Sequence, residues 1–343
     1  MLKVKSINLR PISTYRTELM GIAATLIIFC HAPANGVLMP SVIDKILRSW
    51  GGLGVDMFLF LSGIGMYYSL LKRISLKAWY YHRYMRILVP YMVLSIPYYV
   101  FRWIVDGGGI LMFFENVSTI SFWTRHHGAW FVALLFPLYL LTPWISGQIE
   151  DGKNRGFSAI CLCVCSIIGS LIPSSNSVIN NIQMCLGHVP AFIYGYWLGK
   201  YVLEDKKIMF HTMIVVSFSS IFLYFVFMYL HIPKDYLLLF PILVLLSFLF
   251  RFYPLLPFRS FFFFMGTISL ESYLVNIFLP VVLRKLGFLE ITNFDSNRYF
   301  FYSIVIFVGF VIAYLGHLLS KWILSCCQYY EASNEYEKRK KNV

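Results

Sequence analysis

The sequence has few charged residues: only 13% are Asp, Glu, Lys or Arg, where soluble domains carry about 25%. Acidic residues are the scarcest, with 16 Asp and Glu against 29 Lys and Arg. Hydrophobic residues make up 59% of the chain and the mean hydropathy is +0.68, which requires several of the ~20-residue apolar stretches that cross a bilayer. A transmembrane barrel would instead show short alternating segments. The composition therefore predicts a helical membrane protein.

The sequence also has no C-x-x-C pair among its seven cysteines, and most of them lie in or beside apolar segments. Neither a metal site nor a disulfide framework is indicated. The net charge of +13 does not point to nucleic acid, because the basic residues lie in short gaps between apolar runs and not on one soluble surface.

Ten windows are long and apolar enough to predict transmembrane helices when each is ended at glycine, proline or charge. No gap is long enough for a separate soluble domain. We therefore expect an all-α polytopic bundle that forms a single domain over residues 1–343, with short cytoplasmic tails at 1–17 and 324–343. The windows are 19–38, 52–71, 87–105, 130–147, 157–172, 185–202, 208–230, 236–250, 261–283 and 299–323.

Lysine and arginine alternate strongly between successive gaps. The N-terminus, every second gap after it and the C-terminus hold 21 of these residues, and the remaining gaps hold 8. Cytoplasmic loops carry the basic excess, so both termini are predicted to be cytoplasmic. The basic residues 338–341 are interpreted as an anchor near anionic lipid.

Ionisable residues inside spans are costly and so become functional candidates. His31 lies about 18 Å from the inner edge of the first span, and Asp56 and Glu271 are predicted to reach the same outer half of the membrane. A histidine beside a carboxylate suits a general base. A structural hydrogen bond between helices and a proton relay are the alternatives. The other intramembrane histidines, at 188, 211 and 317, lie near predicted span ends and are assigned no special role.

Two clusters flank the spans. Arg83 and Arg86 precede the third span and share a helix face, so they could clamp a phosphate; a positive-inside anchor is the other interpretation. His127 and Trp130 lie at the outer mouth of the fourth span, where they form either a stacking platform for a sugar or an interfacial belt.

Five groups of residues, in this order and at this spacing, together resemble the acyltransferase-3 family, the bacterial integral-membrane O-acyltransferases. They run from Glu18 to His31, from Asp56 to Gly63, from Arg83 through Arg86 to Pro90-Tyr91, from Trp130 through Tyr139 to Pro143, and from Gly266 through Glu271 and Tyr273 to Leu274.

The resemblance implies transfer of an acyl group, commonly from acetyl-CoA, to a hydroxyl of a cell-surface or lipid-linked polysaccharide in the bacterial inner membrane. It assigns the catalytic role to His31, and we add Asp56 and Glu271 as its partners. It places the cytoplasmic acyl-CoA donor on Arg83 and Arg86, and no metal is expected. Trp130, His127, Tyr273 and Asn276 are the expected acceptor-binding residues.

Two positions depart from the family pattern. Met20 stands where many members have arginine, and Arg16, one helical turn earlier on the same face, is the candidate replacement. Asn276 stands where a histidine is frequent, and an amide cannot take a proton as imidazole does.

Two function classes follow from the sequence. The first is an O-acetyltransferase with His31 as general base, reacting directly or through an acyl-histidine, and with a cavity that opens inward beside Arg83 and outward beside Trp130. Pro33 and Gly36 could interrupt the first helix to form that cavity. The second class is a transporter or exporter of a polysaccharide or lipid-linked sugar that uses the same polar residues as a pathway.

Overall fold

The structure, a computed structural model, is a bundle of helices with one small two-stranded sheet. It describes residues 6–32, 41–72, 74–126, 128–152, 154–251, 258–288 and 298–341. In chain order the elements are β1 (Ser6–Asn8), α1 (Arg10–Thr14), α2 (Arg16–His31), α3 (Ser41–Leu70), α4 (Leu76–Asp106), α5 (Ile110–Val117), α6 (Ile120–Arg125), α7 (Trp130–Glu150), α8 (Arg155–Leu171), α9 (Ser177–Leu203), β2 (Lys207–Met209), α10 (Phe210–Tyr229), a 3₁₀ helix (Asp235–Leu238), α11 (Leu239–Arg251), α12 (Arg259–Thr267), α13 (Ser269–Lys285) and α14 (Arg298–Lys341).

Each of the ten apolar windows overlaps a helix, which confirms the all-α class. Among the described residues, five helices are long and apolar enough to cross a membrane, namely α3, α4, α7, α10 and α14, and the bent pair α12–α13 would make a sixth. The remaining windows fall on α2, α8, α9 and α11, which are shorter or less apolar. The chain is therefore a multi-pass membrane protein by its helices, and the count of ten spans stays a prediction.

The short helices α5 and α6 were not predicted. They fill the gap between α4 and α7, where Gly107 and Gly108 adopt φ of 73° and 118°. Only glycine takes such a backbone at no steric cost, so these two residues turn the chain out of α4 and lay α5 across its end.

The loops group on two sides of the bundle. β1 pairs antiparallel with β2, with Ile7 opposite Ile208, so the N-terminal segment lies beside the 204–209 loop. At the other end, Lys285 Nζ lies 2.7 Å from Asp106 Oδ1. Each pairing joins two gaps that the charge alternation assigns to one side of the membrane, and the two pairings lie on opposite sides. Which of the two sides is cytoplasmic stays a prediction.

Close glycine contacts hold the centre of the bundle together. A Cβ built on Gly195 of α9 would lie 2.0 Å from the Phe60 carbonyl oxygen of α3, and one on Gly63 would lie 2.2 Å from the Phe192 carbonyl oxygen. A Cβ built on Gly21 of α2 or on Gly266 of α12 would lie 1.8 Å from a carbonyl oxygen of the other helix. Small residues let membrane helices approach to backbone contact, and here they bring α2, α3, α9 and α12 into one packed core.

Replacing Gly195 with alanine is expected to destabilise the protein by about 1–3 kcal/mol, because the new methyl group would meet backbone that cannot move aside alone. Thermal unfolding of purified protein in detergent measures this loss. Gly309→Ala in α14 is the matched control, since its Cβ would lie 3.5 Å from the nearest atom of Val275. Equal melting temperatures for the two variants would contradict the packing argument.

Candidate active site

Three arginines lie close together near the N-terminus of α2. Arg16 is its first residue, and its Nε donates to the Leu61 carbonyl of α3 at 3.2 Å. Arg83 of α4 donates from Nη2 to the Gly65 carbonyl of α3 at 3.3 Å. A Cβ on Gly65 would lie 3.1 Å from Arg16 Nη2, so the glycine leaves the room that the guanidinium occupies.

The cluster carries positive charge that no described acidic residue offsets. Arg16, Arg83 and Arg86 repel one another and share the buried Tyr139 as an electrostatic neighbour. No carboxylate among the described residues pairs with any of the three. Arg259 differs, because its Nε lies 2.5 Å from Glu18 Oε1. We call Arg16, Arg83 and Arg86 the arginine cluster. Arg16 and Arg83 are half-buried and Arg86 is exposed, and guanidinium groups gathered in this way suit a multivalent anion.

The arrangement of the arginine cluster also bears on Met20, the family position that lacks arginine. Met20 is a partly buried residue packed against the apolar core, whereas Arg16 lies with Arg83 and Arg86. The structure thus brings Arg16 to the pair of arginines that the sequence analysis assigned to the donor.

His31 is the last residue of α2, and its backbone contact sets the state of its ring. Nδ1 lies 2.7 Å from the carbonyl oxygen of Ile27. A carbonyl only accepts hydrogen bonds, so Nδ1 carries the hydrogen and the lone pair is on Nε2. The ring is half-buried. In the neutral ring, Nε2 is then the nitrogen that can accept a proton.

Asp56 pairs with His188 and not, as expected, with His31. Asp56 Oδ1 lies 2.6 Å from His188 Nδ1 of α9, and the carboxylate is 1% exposed. The reason is helix phase: Gly54 faces α2, and two residues further along α3 the side chain has turned by about 200°. Asp56 therefore points to α9, away from the helix that carries His31.

Glu271 likewise pairs with a different histidine from the expected His31. The ninth apolar window is broken into α12 and α13, which meet at 75°, and this break places Glu271 in the first turn of α13. There its Oε1 lies 2.9 Å from Nδ1 of His317 in α14. The bend thus directs Glu271 to α14, on which His317 lies.

His188 and His317, which the sequence analysis placed near span ends without a special role, are both half-buried against buried carboxyl groups. One sequence signal could have identified them. An intramembrane carboxylate needs a polar partner, and the chain offers few other polar groups at that depth.

The expected acceptor-binding residues lie on two sides of this region. The Trp130 ring centroid is 5.3 Å from that of His188, beside the pair with Asp56. The Tyr273 hydroxyl accepts from the Phe131 backbone N–H at 3.4 Å, so it also lies at the start of α7. His127 lies outside the described residues, as do Pro33 and Gly36.

Asn276 lies instead next to α2. Its Oδ1 is 3.2 Å from the Tyr302 hydroxyl, which also contacts the Ile28 carbonyl one turn before His31. The Asn276 Nδ2 group is buried and has no hydrogen-bond partner in the described part of the chain. Sequence reasoning missed Tyr302, which lies in an aromatic run that an interfacial belt would also explain.

Asp235 adds a second carboxylate near the Asp56–His188 pair. It lies in the 3₁₀ helix between α10 and α11, and its Oδ2 would be 2.2 Å from a Cβ on Gly52 of α3. Burial, followed by repulsion from Asp56, raises the pKa of Asp235 to about 6. Asp56, Asp235, His188 and Trp130 therefore form one polar region, which we call the α3–α9 site.

Replacing Asp56 with alanine is expected to cost about 3–5 kcal/mol of stability, because it leaves the half-buried His188 ring without its partner. Asp56→Asn keeps an acceptor for His188 Nδ1 and should cost less. The free energy of unfolding in detergent measures both, and Asp151→Ala, at an exposed acid, is the control. A stable Asp56→Ala protein would show that the pair does not hold α3 to α9.

Comparison with known protein families gives one match. A family profile described as an acyltransferase domain matches residues 19–318, which is nearly the whole chain. No curated protein and no solved structure matches significantly. The matched segment contains His31, Asp56, the acidic and aromatic residues of α13 and two members of the arginine cluster. The chain belongs to the acyltransferase-3 family of membrane acyltransferases.

Proposed function

We propose that the protein is an O-acyltransferase of the bacterial inner membrane that moves an acyl group, most simply acetyl, from acyl-CoA to a hydroxyl of a cell-surface or lipid-linked polysaccharide. The observation that carries this proposal is the arginine cluster. It holds three guanidinium groups with no carboxylate partner among the described residues, which is a demanding arrangement unless an anion binds there.

The donor fits the arginine cluster in charge. CoA carries several phosphate groups, and arginine binds phosphate through paired N–H groups in a fixed plane. Arg16 and Arg83 each place one nitrogen on an α3 carbonyl, which fixes the orientation of both guanidinium groups. The charge alternation assigns this end of the bundle to the cytoplasm, where acyl-CoA is present.

His31 supplies the base. Its Nε2 takes the proton of the acceptor hydroxyl, the hydroxyl oxygen attacks the thioester carbonyl, and the carbon–sulfur bond breaks to release CoA as the thiolate. The Ile27 carbonyl accepts a hydrogen bond from Nδ1, which leaves Nε2 as the basic nitrogen of the neutral ring. Asp56 and Glu271 support the bundle through His188 and His317 in this proposal, so their contribution to the reaction is indirect.

The acceptor is proposed to approach from the Trp130 end. An indole ring offers an apolar face to a sugar ring, together with one N–H donor. His188 lies against Trp130, and Tyr273 contacts the next residue of α7. These groups line one region at the opposite end of the bundle from the arginine cluster.

The test is acceptor-dependent consumption of donor. Purified protein in lipid nanodiscs is mixed with acetyl-CoA, with and without a bacterial glycan, and the free thiol of CoA is measured. Thiol release that requires the glycan, with acetyl ester on the recovered glycan, supports the proposal. Movement of glycan across proteoliposomes without any consumption of acetyl-CoA would instead establish the exporter.

A further inference from the structure

A polar cavity of about 200 Å³ lies where α4 ends beneath α5. We call it the outer pocket and define it by Tyr99, Arg102, Trp103, Asp106 and Asn116. It belongs to the end of the bundle that carries Trp130, because Gly128 also lines it. None of the residues assigned above to the donor or to the base lines this cavity.

An apolar cavity of about 250 Å³ lies next to the outer pocket, between α4, α13 and α14. We call it the apolar groove; Leu94 and Pro97 of α4, Leu279 and Val282 of α13 and Ile312 of α14 are among its lining residues. Pro97 lies inside α4, where a proline removes one backbone hydrogen bond.

Tyr98 joins the two cavities, because it lines both of them. Its ring stacks on Phe278 of α13 at 4.1 Å between centroids, and its hydroxyl accepts from Arg102 Nη1 at 3.2 Å. One face of Tyr98 is thus part of the apolar groove while its hydroxyl belongs to the polar network. A ligand with a polar head and an apolar chain would match this change of character.

The outer pocket combines aromatic faces with mixed donors and acceptors. The Trp103 ring is held by a hydrogen bond from its Nε1 to the Gly108 carbonyl at 2.9 Å. Asp106 contacts both Arg102 and Lys285, so charges of both signs lie together. Sugar hydroxyls donate and accept at once, and they suit such a mixture better than a phosphate would.

Tyr99 supplies an independent indication of a ligand. It is 6% exposed and lines the outer pocket. Its hydroxyl lies near that of Tyr91 but makes no hydrogen bond of ordinary geometry to a described residue. A buried hydroxyl without a well-formed hydrogen bond is unfavourable. A ligand hydroxyl in the pocket would satisfy it.

We propose that the outer pocket and the apolar groove together bind a glycolipid, with the sugar in the pocket and the hydrocarbon chain in the groove. This proposal rests on the proposed function, because the bound glycolipid would be the acceptor of acyl transfer. The acceptor would then be a lipid-linked saccharide and not a free polysaccharide. The binding itself does not depend on catalysis and is tested without donor.

The experiment measures binding of octyl β-glucoside, below its micelle concentration, to the full chain in phosphatidylcholine nanodiscs. Methyl β-glucoside supplies the sugar without the chain, and octanol supplies the chain without the sugar. We expect octyl glucoside to bind at least about 10-fold more tightly than either half, a difference of about 1.4 kcal/mol. Affinity equal to that of octanol would overturn the proposal and indicate nonspecific partition of the chain.

Two variants test the two cavities separately. Tyr99→Phe removes only the buried hydroxyl and should weaken octyl glucoside by several-fold while leaving octanol unchanged. Val282→Trp fills the apolar groove and should weaken both chain-bearing ligands. Val164→Trp, at an exposed position of α8, is the matched control. Unchanged affinity in both variants would place the ligand elsewhere.

The outcome is separable from that of the acyltransferase assay. Acetyl-CoA consumption on a soluble glycan, without octyl glucoside binding, would keep the proposed function and overturn the glycolipid site. Octyl glucoside binding without any acetyl-CoA consumption would keep the site and overturn the proposed function.

Discussion

Replacing His31 with alanine is expected to lower the rate of acyl transfer by about 10²- to 10⁴-fold, the usual contribution of a positioned general base. The reason is the ring state: the Ile27 carbonyl holds the hydrogen on Nδ1, so Nε2 is the proton acceptor that alanine lacks. The measurement is acceptor-dependent CoA release by purified variant in nanodiscs. The acetyl-CoA KM should change little, because the arginine cluster is intact.

His211→Ala is the matched control. His211 is exposed in the first turn of α10, so its loss should leave the rate and the melting temperature unchanged. His31→Gln separates shape from chemistry, since the amide can donate to Ile27 but cannot take a proton at neutral pH. Wild-type transfer by a folded His31→Ala protein would remove this residue from the mechanism.

Hydropathy predicted the positions of the helices because it reports directly on the physical requirement for crossing a bilayer. The windows 130–147 and 299–323 begin at or within one residue of α7 and α14. It failed for α5 and α6 because these helices are shorter than a span and depend on the turn at Gly107 and Gly108. Such a turn is a local backbone event that a 20-residue window averages away.

The pairing of carboxylates with histidines could not be predicted, because it depends on which face of each helix meets which neighbour. Asp56 and His31 lie on adjacent helices at similar predicted depth, but α3 presents Gly54 to α2 and Asp56 to α9. Depth follows from the sequence by counting residues. The direction in which a side chain points around its helix axis depends on how a third helix packs, and a single sequence does not show this packing.

The break between α12 and α13 was hidden for a related reason. The window 261–283 is apolar enough overall to be predicted as one span, yet the helix axis turns by 75°. Thr267 Oγ1 bonds back to the Phe263 carbonyl at 2.9 Å, a contact that bends helices. The bend places Glu271 in a first helical turn, where the dipole favours a carboxylate.

The two carboxylate–histidine pairs and the arginine cluster differ in what they leave unsatisfied. Asp56 with His188, and Glu271 with His317, each pair a buried carboxyl group with an imidazole within the bundle. The arginine cluster has no such partner among the described residues. Polar groups that satisfy one another stabilise packing, whereas those that do not are the places where a ligand supplies the missing charge.

Replacing Arg83 with alanine is therefore expected to raise the acetyl-CoA KM by about 10- to 100-fold, which corresponds to the loss of one charge-assisted hydrogen bond worth about 1.5–3 kcal/mol. Arg83→Lys should restore little, because lysine keeps the charge but cannot present two parallel N–H groups to a phosphate. The KM for the glycan should stay unchanged, since the acceptor is proposed to approach from the Trp130 end. Initial rates at varied donor and acceptor concentrations measure both constants.

Arg251→Ala is the control for the expected rise in acetyl-CoA KM of Arg83→Ala. Arg251 is exposed at the end of α11 and takes part in no ion pair within the described chain, so its removal tests general loss of positive charge. Moderate salt should raise the wild-type acetyl-CoA KM as phosphate contacts are screened, and should do so less in Arg83→Ala. A normal KM in Arg83→Ala and Arg86→Ala proteins that insert and fold would identify both arginines as topology anchors. The donor would then have to bind elsewhere.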